Sequence, residues 1–441
     1  MLTELDHQTI DRVRNSVFRQ YAEKYIHIQD RFLEQVRQLG VDFAPPEDPQ
    51  EYFQRADALA AAGATVRNDA KSIVANHISP GCLACQTGQG SSTFFISLKC
   101  HRNCFFCFNP NQENYEFFRD HTVDVIAELQ KLYTSGQAVH QLALTGGEPL
   151  LYKPETVQFF KTARQLFPKA YTRLYTCGDQ IDEATLQALK DAGLDEIRFS
   201  IRMYDLEKGR QFTMSRIAMA KEFIPYVMVE MPVLPGTLEE MKSVLQRLDE
   251  IGIFSINLLE FCFPLTNAEA YRQRGYLIKA RPFRVLYNYW YAGGLPVAGS
   301  ETVCLDLLDF ALQSGLKMGV HYCSLENKQT GQVYRQNKDQ SVPRHLYFSE
   351  RDYFLKSAKV FGEDIAPVET VLRKKGVTTI VQNRDQGYLE FPVKKLHLIR
   401  NLDVEVGIST NILEVRNGEK VLRELKIDWT TPQQFNFEKD I

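Results

Sequence analysis

The sequence predicts an α/β protein built on a partial (β/α)6 TIM-like barrel, with an N-terminal helical region and a small C-terminal α+β appendage. Three observations carry this. Between residue 93 and about residue 265, short apolar runs alternate with amphipathic stretches, the pattern of a parallel sheet with crossover helices. A chain of 441 residues exceeds one ordinary core, so further units flank the barrel. The segments richest in chemistry fall just after successive strands, where barrels of this kind carry their sites.

In chain order, Ile10, Val13, Val17, Tyr21, Ile26, Phe32 and Val36 recur at helical spacing, and Pro45 to Pro49 reads as a linker. Tyr52, Phe53, Ala56, Leu59, Val66, Ile73 and Val74 read as a second helical stretch, completing a region over 1–80. The barrel core, 81–265, takes its strands from Phe94–Lys99, Gln141–Thr145, Arg173–Thr176, Glu196–Ile201, Tyr226–Pro232 and Ser255–Phe261. Its helices are Val123–Tyr133, Glu155–Leu166, Glu183–Ala192 and Leu238–Glu250. Residues 266–342 read as a barrel extension, with Tyr287–Tyr291, a helix at Thr302–Ser314 and a strand at Lys317–His321. The appendage, 343–441, begins helical over Glu350–Val360. Strands are then expected at Thr378–Val381, Gly387–Phe391, Leu396–Ile399, Val404–Ile408 and Glu414–Arg416.

Bulk properties narrow the function. With 52 Lys+Arg against 55 Asp+Glu, the net charge of −3 argues against a nucleic-acid-coating protein. No long apolar run suggests a membrane span, and Met1-Leu-Thr-Glu-Leu-Asp has neither a basic start nor an apolar core for a secretory signal. Nine cysteines in such a chain suit metal and redox work in a reducing, cytoplasmic setting better than disulfides.

The centre of the sequence is Cys100-His-Arg-Asn-Cys104-Phe-Phe-Cys107, followed by Thr145-Gly146-Gly147-Glu148-Pro149. Three thiols in one turn-sized loop can hold three corners of an iron–sulfur cluster and leave the fourth iron open. Zinc is the rival, but a structural zinc site is closed by four ligands, and His101 lies too near in the loop to close one easily. Phe105, Phe106 and Phe108 would cover a cluster from solvent. Gly146 and Gly147 let backbone approach a ligand where a Cβ would collide.

These segments resemble the radical S-adenosylmethionine (SAM) enzymes over roughly residues 90–265, with the aromatic Phe106 before the last cysteine and Gly-Gly-Glu-Pro at 146–149. The resemblance implies a [4Fe–4S] cluster on Cys100, Cys104 and Cys107, with SAM chelating the open iron. It also implies reductive cleavage of SAM to a 5′-deoxyadenosyl radical, which abstracts hydrogen from a small-molecule or peptide substrate. An electron donor such as flavodoxin or ferredoxin is implied as a partner. Gly146 and Gly147 would then receive the SAM amino group, with Glu148 holding the turn, while Thr176 and Gly178 would contact SAM. A family Asn is common where Cys177 stands, and a structural thiol is the reading there. Ser200 and Arg202, alternating with Arg198 on the fourth strand, would meet SAM hydroxyls and carboxylate; ion pairs with Glu230 or Asp195 are the alternative. Glu230 and Glu260, ending the fifth and sixth strands, are candidate substrate or adenosyl contacts.

Four further thiols, Cys82, Cys85, Cys304 and Cys323, fit either a second iron–sulfur cluster or unligated packing. Cys323, beside His321 and Tyr322, is also a candidate hydrogen-atom donor to a substrate radical. Two other readings stay open: a metal-stapled sensor or interaction protein without SAM chemistry, and a radical SAM methyl- or sulfur-transfer enzyme.

Overall fold

The computed structural model describes residues 2–287 and 294–441. Most of the stretch Tyr287–Tyr291 lies outside the described residues. The chain divides into two compact units, one of Leu39–Pro282 with Trp290–Gly331, the other of Met1–Gln38, Phe283–Tyr289 and Gln332–Ile441. Among the described residues, no helix is long and apolar enough to cross a membrane.

The first unit holds a nine-stranded sheet. Its strands are β1 (Thr65–Arg67), β2 (Ser72–Ala75), β3 (Ser91–Phe95), β4 (Gln141–Thr145), β5 (Tyr171–Thr176), β6 (Glu196–Phe199), β7 (Tyr226–Val233), β8 (Ser255–Glu260) and β9 (Gly319–Cys323). The spatial order is β1-β2-β9-β8-β7-β6-β5-β4-β3, with β3 to β9 all parallel and β2 antiparallel to β1 and β9. The two end strands do not pair, so the barrel is partial, as the sequence predicts. Crossovers run through α1 (Val125–Thr134), α2 (Lys153–Leu166), α3 (Glu183–Asp191), α4 (Glu207–Lys221), α5 (Leu238–Ile251) and α6 (Ser300–Gln313).

Strand alternation builds two layers. Leu142, Leu144, Leu174, Ile197, Phe199, Val227, Val229, Ile256, Leu258, Val320 and Tyr322 pack outward with Leu129, Phe160, Leu186, Ile217, Leu245 and Leu308 of the helices in one core. The residues between them, including Arg173, Tyr175, Arg198, Glu230, Asn257, His321 and Cys323, therefore face the barrel interior.

Several boundaries differ from expectation. Asp48 caps the helix Pro49–Ala61 with Pro49 in its first turn, so the end of the proline-rich linker is a helix start. That helix stops at Ala61, and Val66, Ile73 and Val74 lie on the β1–β2 hairpin instead. Because β2 pairs with β9, residues 39–80 belong to the barrel unit, and the expected break near residue 80 falls at 38/39. Strand β3 ends at Phe95. Beyond it, Leu98 N and Ser97 Oγ turn to the Phe118 carbonyl, at 2.9 Å each. Helix α4 escapes the apolar pattern because it buries only Thr213, Ile217 and Ala220.

The second unit is an antiparallel sheet of Thr3–Glu4, Glu419–Thr430, Val406–Arg416, Leu355–Phe361, Tyr388–Phe391 and Val381–Asn383, with Tyr347–Phe348 beside Leu355–Phe361. The helix Ser16–Arg37 is capped by Asn15, whose Oδ1 accepts from Val17 N and Phe18 N, and Phe18 stacks on Phe361 at 4.5 Å. The expected helix over Glu350–Val360 is replaced by the strand Leu355–Phe361. All seven of its residues are buried, so the alternation that marks a half-exposed strand is missing. The expected strand at Leu396–Ile399 is a 3-10 helix, Val393–Ile399.

Candidate functional site

The cysteine loop leaves the C-terminal end of β3 and arches over the barrel mouth. Cys107 N donates to the Cys104 carbonyl (3.0 Å), and Arg102 N donates to Cys100 Sγ (3.4 Å). Cys100 is exposed; Cys104 and Cys107 are half-buried. Burial raises the Cys100 and Cys107 thiols, and the neighbouring sulfurs add to it in both. The loop is latched across the mouth: Asn109 Nδ2 donates to the Gly146 carbonyl (2.8 Å), Asn111 Nδ2 to Pro264 (2.6 Å), and Asn267 Nδ2 to Phe105 (3.0 Å). Phe105 and Phe106 interlock with Tyr204 and Phe261 at centroid distances of 5.4 to 6.0 Å, and Phe105 also meets Tyr271. Phe108, expected in that cover, is 45% exposed and takes no part in it.

The glycine pair serves chain packing. A Cβ on Gly147 would lie 2.0 Å from the Lys99 carbonyl oxygen. At Gly146, with φ of +113°, it would lie 2.7 Å from that of Ser97. Gly147 N and Glu148 N donate to those same carbonyls at 3.0 and 2.9 Å. The end of β4 is thus pressed onto the root of the cysteine loop, and the close approach expected toward a ligand is spent first on backbone.

Glu148, 2% exposed, holds the next junction. Its carboxylate accepts from Leu150 N (3.0 Å), Thr176 Oγ1 (2.8 Å) and Cys177 N (2.7 Å), tying β4 to β5. Thr176 Oγ1 in turn accepts from Gly178 N at 3.0 Å. Thr176 is therefore a brace, and Cys177 is structural as expected: its buried thiol donates to Asp179 Oδ2 (3.3 Å) and is pushed up by burial and by Glu148.

Asp179, unmarked by any sequence signal beyond its place after Gly178, gathers charge beneath the loop. It binds His101 Nε2 (2.7 Å) and accepts from Nε and Nη2 along one edge of the Arg102 guanidinium. Burial alone would raise its carboxyl, but Arg102 and His101 hold it down at about 2. His101, Cys177 and Asp179 place ligand atoms within 4.8 Å of one another. Arg102 already neutralises that carboxylate, so a divalent ion would compete with a bound guanidinium. His101 Nε2 is engaged by Asp179.

Arg202 sits in the turn after β6, which ends at Phe199, so it does not alternate with Arg198 and Ser200 on one strand. It is 4% exposed; Nε donates to Asp205 Oδ2 (2.9 Å), whereas Nη2, 3.9 Å from Asp179 Oδ1, is buried without a hydrogen bond. An orphaned guanidinium nitrogen beside the cysteine loop fits an anionic group of a bound cofactor. Ser200, half-buried, is joined to β5 through Ser200 N and the Thr176 carbonyl (3.2 Å). Arg198 follows the alternative reading. It pairs with Glu196 and Glu230 at 2.5 Å each and donates to Ser79 Oγ (3.0 Å) and Cys82 Sγ (3.5 Å). Glu230 is thus committed to Arg198 and to Asn257 Nδ2 (2.9 Å).

Of the four further cysteines, Cys82, Cys85 and Cys323 influence one another's thiols. Cys304 packs with Val320 and Tyr322 in the helix–sheet layer, on the side opposite Cys323. Cys82 takes its bond from Arg198, and Cys323 Sγ takes one from Asn327 Nδ2 (3.2 Å). Burial raises both thiols, that of Cys82 to about 11. His321 lies inside, bonded to Ser72 Oγ (2.8 Å), but Tyr322 points outward to Glu301 Oε2 (2.9 Å) and cannot serve the interior. Glu260 shares that outer layer, accepting from Leu325 N (2.7 Å) beside Lys279 (3.7 Å), so it is no substrate contact. Burial pushes its carboxyl up to about 7, against the pull of Lys279.

Sequence reasoning missed Asp179, Arg102, Asn109 and Tyr204. Only Asn109 carries a local signal, as an amide two residues beyond Cys107.

Residues 94–248 match the family model described as the Radical SAM superfamily, and that stretch is a radical SAM domain. A protein of Methanocaldococcus jannaschii named for glycyl-radical enzyme activation is 30% identical over 213 residues, 45% of this chain and 54% of that protein. The PqqA peptide cyclase of Gluconobacter oxydans is 34% identical over 107 residues, 24% of this chain and 28% of that protein. The chain thus spans about half, or less, of the length of these curated relatives. The crystal structure of Streptococcus suis SuiB bound to S-adenosylmethionine has a TM-score of 0.40 and 13% identity over 54% of this chain and 50% of that one.

Three outcomes check this geometry. Replacing Gly147 by Ala forces backbone apart at Lys99 and is expected to cost about 1–3 kcal/mol in urea unfolding. Arg198→Met strands buried Glu196 and Glu230 and is expected to cost about 3–5 kcal/mol. A loss of SAM affinity with unchanged stability would instead make Arg198 a cofactor ligand. Because the Glu260 carboxyl lies above its ordinary 4.5, the folded chain keeps a proton that the unfolded chain releases, and stability from this group falls as pH rises from there toward about 7. Glu260→Gln is therefore expected to flatten the fall of the urea midpoint across that window. Equal falls in both proteins would refute the assignment.

Proposed function

We propose that the chain is a radical SAM enzyme in which Cys100, Cys104 and Cys107 hold a [4Fe–4S] cluster whose open iron takes SAM. The observation that carries the reading is the three-thiol loop at the end of β3, fastened by backbone to Gly147 and Glu148, with a buried Arg202 nitrogen nearby that makes no hydrogen bond. When bound and reduced, that pair would supply a 5′-deoxyadenosyl radical able to take hydrogen from an unactivated C–H bond.

The protein's own residues position and shield. Glu148 and Thr176 fix the β4 and β5 ends, Arg202 offers a donor to the SAM carboxylate, and Phe105 and Phe106 wall one side of the loop. Gly146, Gly178 and Ser200 line the same mouth. The polar interior beneath it is the chamber for a small-molecule or peptide substrate; that one relative is named a peptide cyclase favours the peptide. Cys323, a neutral thiol inside the chamber, is placed to return a hydrogen atom. A flavodoxin or ferredoxin would supply the electron, in a cytoplasmic setting. Cys82, Cys85 and Cys323 stay free thiols in this reading.

Anaerobic reconstitution tests it. About four irons per chain and 5′-deoxyadenosine release with dithionite and SAM are expected, and both should vanish in Cys100→Ala, Cys104→Ala and Cys107→Ala. Iron content should stay unchanged in Cys82→Ala. A colourless, zinc-loaded protein would retire the proposal in favour of a metal-stapled interaction protein.

A further inference from the structure

Two cations in the barrel interior lack a counter-charge. Arg173, on β5, is 7% exposed, and its Nε has no hydrogen-bond partner. Among the described residues no carboxylate pairs with it. The helix Pro80–Cys85 props it, since a Cβ on Gly81 would lie 1.9 Å from an Arg173 Nη. Lys328, on the helix Leu325–Asn337, is half-buried and also forms no ion pair among the described residues. The neighbouring interior charges are matched, by contrast, in the Arg198–Glu196–Glu230 set.

Both cations face one space. The helix Pro80–Cys85 lies between them: a Cβ on Gly81 would meet Arg173, and one on Gly331, in the helix that carries Lys328, would lie 3.0 Å from the Cys85 carbonyl oxygen. In keeping with this, burial and Glu230 raise the Cys85 thiol, while Arg173, Arg198 and Lys328 pull it down. Cys85 is solvent-exposed, so a reagent can reach this place. Across it, Asn257 and His321 are register partners on β8 and β9, and Asn257 Oδ1 and His321 Nδ1 are buried without partners too. An unneutralised buried guanidinium is costly to keep, and its planar fork matches an oxyanion. Cations without an ion-pair partner call for an anionic occupant, and Asn257 Oδ1, an acceptor, calls for a donor group on the same ligand.

We propose that Arg173 and Lys328 anchor the substrate by an anionic group, a carboxylate or a phosphate, within the barrel interior. The role as substrate anchor rests on the interior being the reaction chamber; the anion site itself does not depend on the cluster.

The test uses the full chain, reconstituted anaerobically, with iodoacetate and iodoacetamide as probes at Cys85, read by peptide mapping. Both reagents attack the same thiolate, so their rate ratio cancels thiol acidity and reports recruitment of the carboxylate. The ratio is expected about tenfold above that of the urea-unfolded chain, and to fall about tenfold in R173Q and in K328Q. Competing sodium acetate that abolishes the excess identifies a carboxylate site; competition by inorganic phosphate alone identifies a phosphate site. In parallel, the effective anion should raise the thermal midpoint of wild type over chloride at equal ionic strength, and of neither variant.

A ratio indifferent to both substitutions, or to both anions, overturns the proposal, as does suppression by saturating SAM, which would give the pair to the cofactor. If Cys85 resists both reagents, equal thermal shifts in wild type and variants overturn it. Failure to cleave SAM with the labelling pattern intact would sink the enzymatic reading and leave the anion site standing.

Discussion

One buried carboxylate organises the mouth of this barrel. Glu148 is almost cut off from solvent and is held by three donors from two strand ends. Charge-assisted bonds of this kind are the stronger ones, and leaving any of those donors unmet in a buried site would be expensive. The carboxylate thus fixes where β4 and β5 finish, and with them the glycine pair beneath the cysteine loop and the turn bearing Asp179. The three thiols have no regular structure of their own; their placement is borrowed from this junction and from the asparagine latches.

The same accounting separates scaffold from function deeper in the barrel. Arg198 looks in isolation like a ligand-binding residue, yet every strong partner it needs is present in Glu196, Glu230 and Ser79. Arg202, Arg173, Asn257 and His321 each keep a buried atom unmatched. Protein interiors satisfy their polar groups, so the exceptions among inward-facing polar and charged residues are informative. Satisfied charges stiffen the wall, and unsatisfied ones await company.

Much of this was legible in the residues. The thiol loop, the glycine pair and the parallel strands carry strong local signatures, and most of the β–α alternation was readable because one face of the crossover helices other than α4 is apolar. What escaped notice did so for physical reasons. Helix α4 buries too little to show a stripe, and Leu355–Phe361 is covered on both faces, so its period is lost. The union of β2 with β9 joins residues about 250 apart, which no local pattern encodes. Strand parity did not extend to Arg202, because the strand stops at Phe199, and a strand-end position alone did not reveal that Glu260 and Tyr322 point outward.

On β9, His321 and Cys323 look inward while Tyr322 looks out, and both flanks of the strand are paired. Adding or deleting one residue there would swing a phenol into the cavity and expel the imidazole and thiol together. Length at this strand is therefore frozen. Descendants of this chain that changed their taste for substrate would have done so by swapping residues in place, and their alignments should run gapless through this strand.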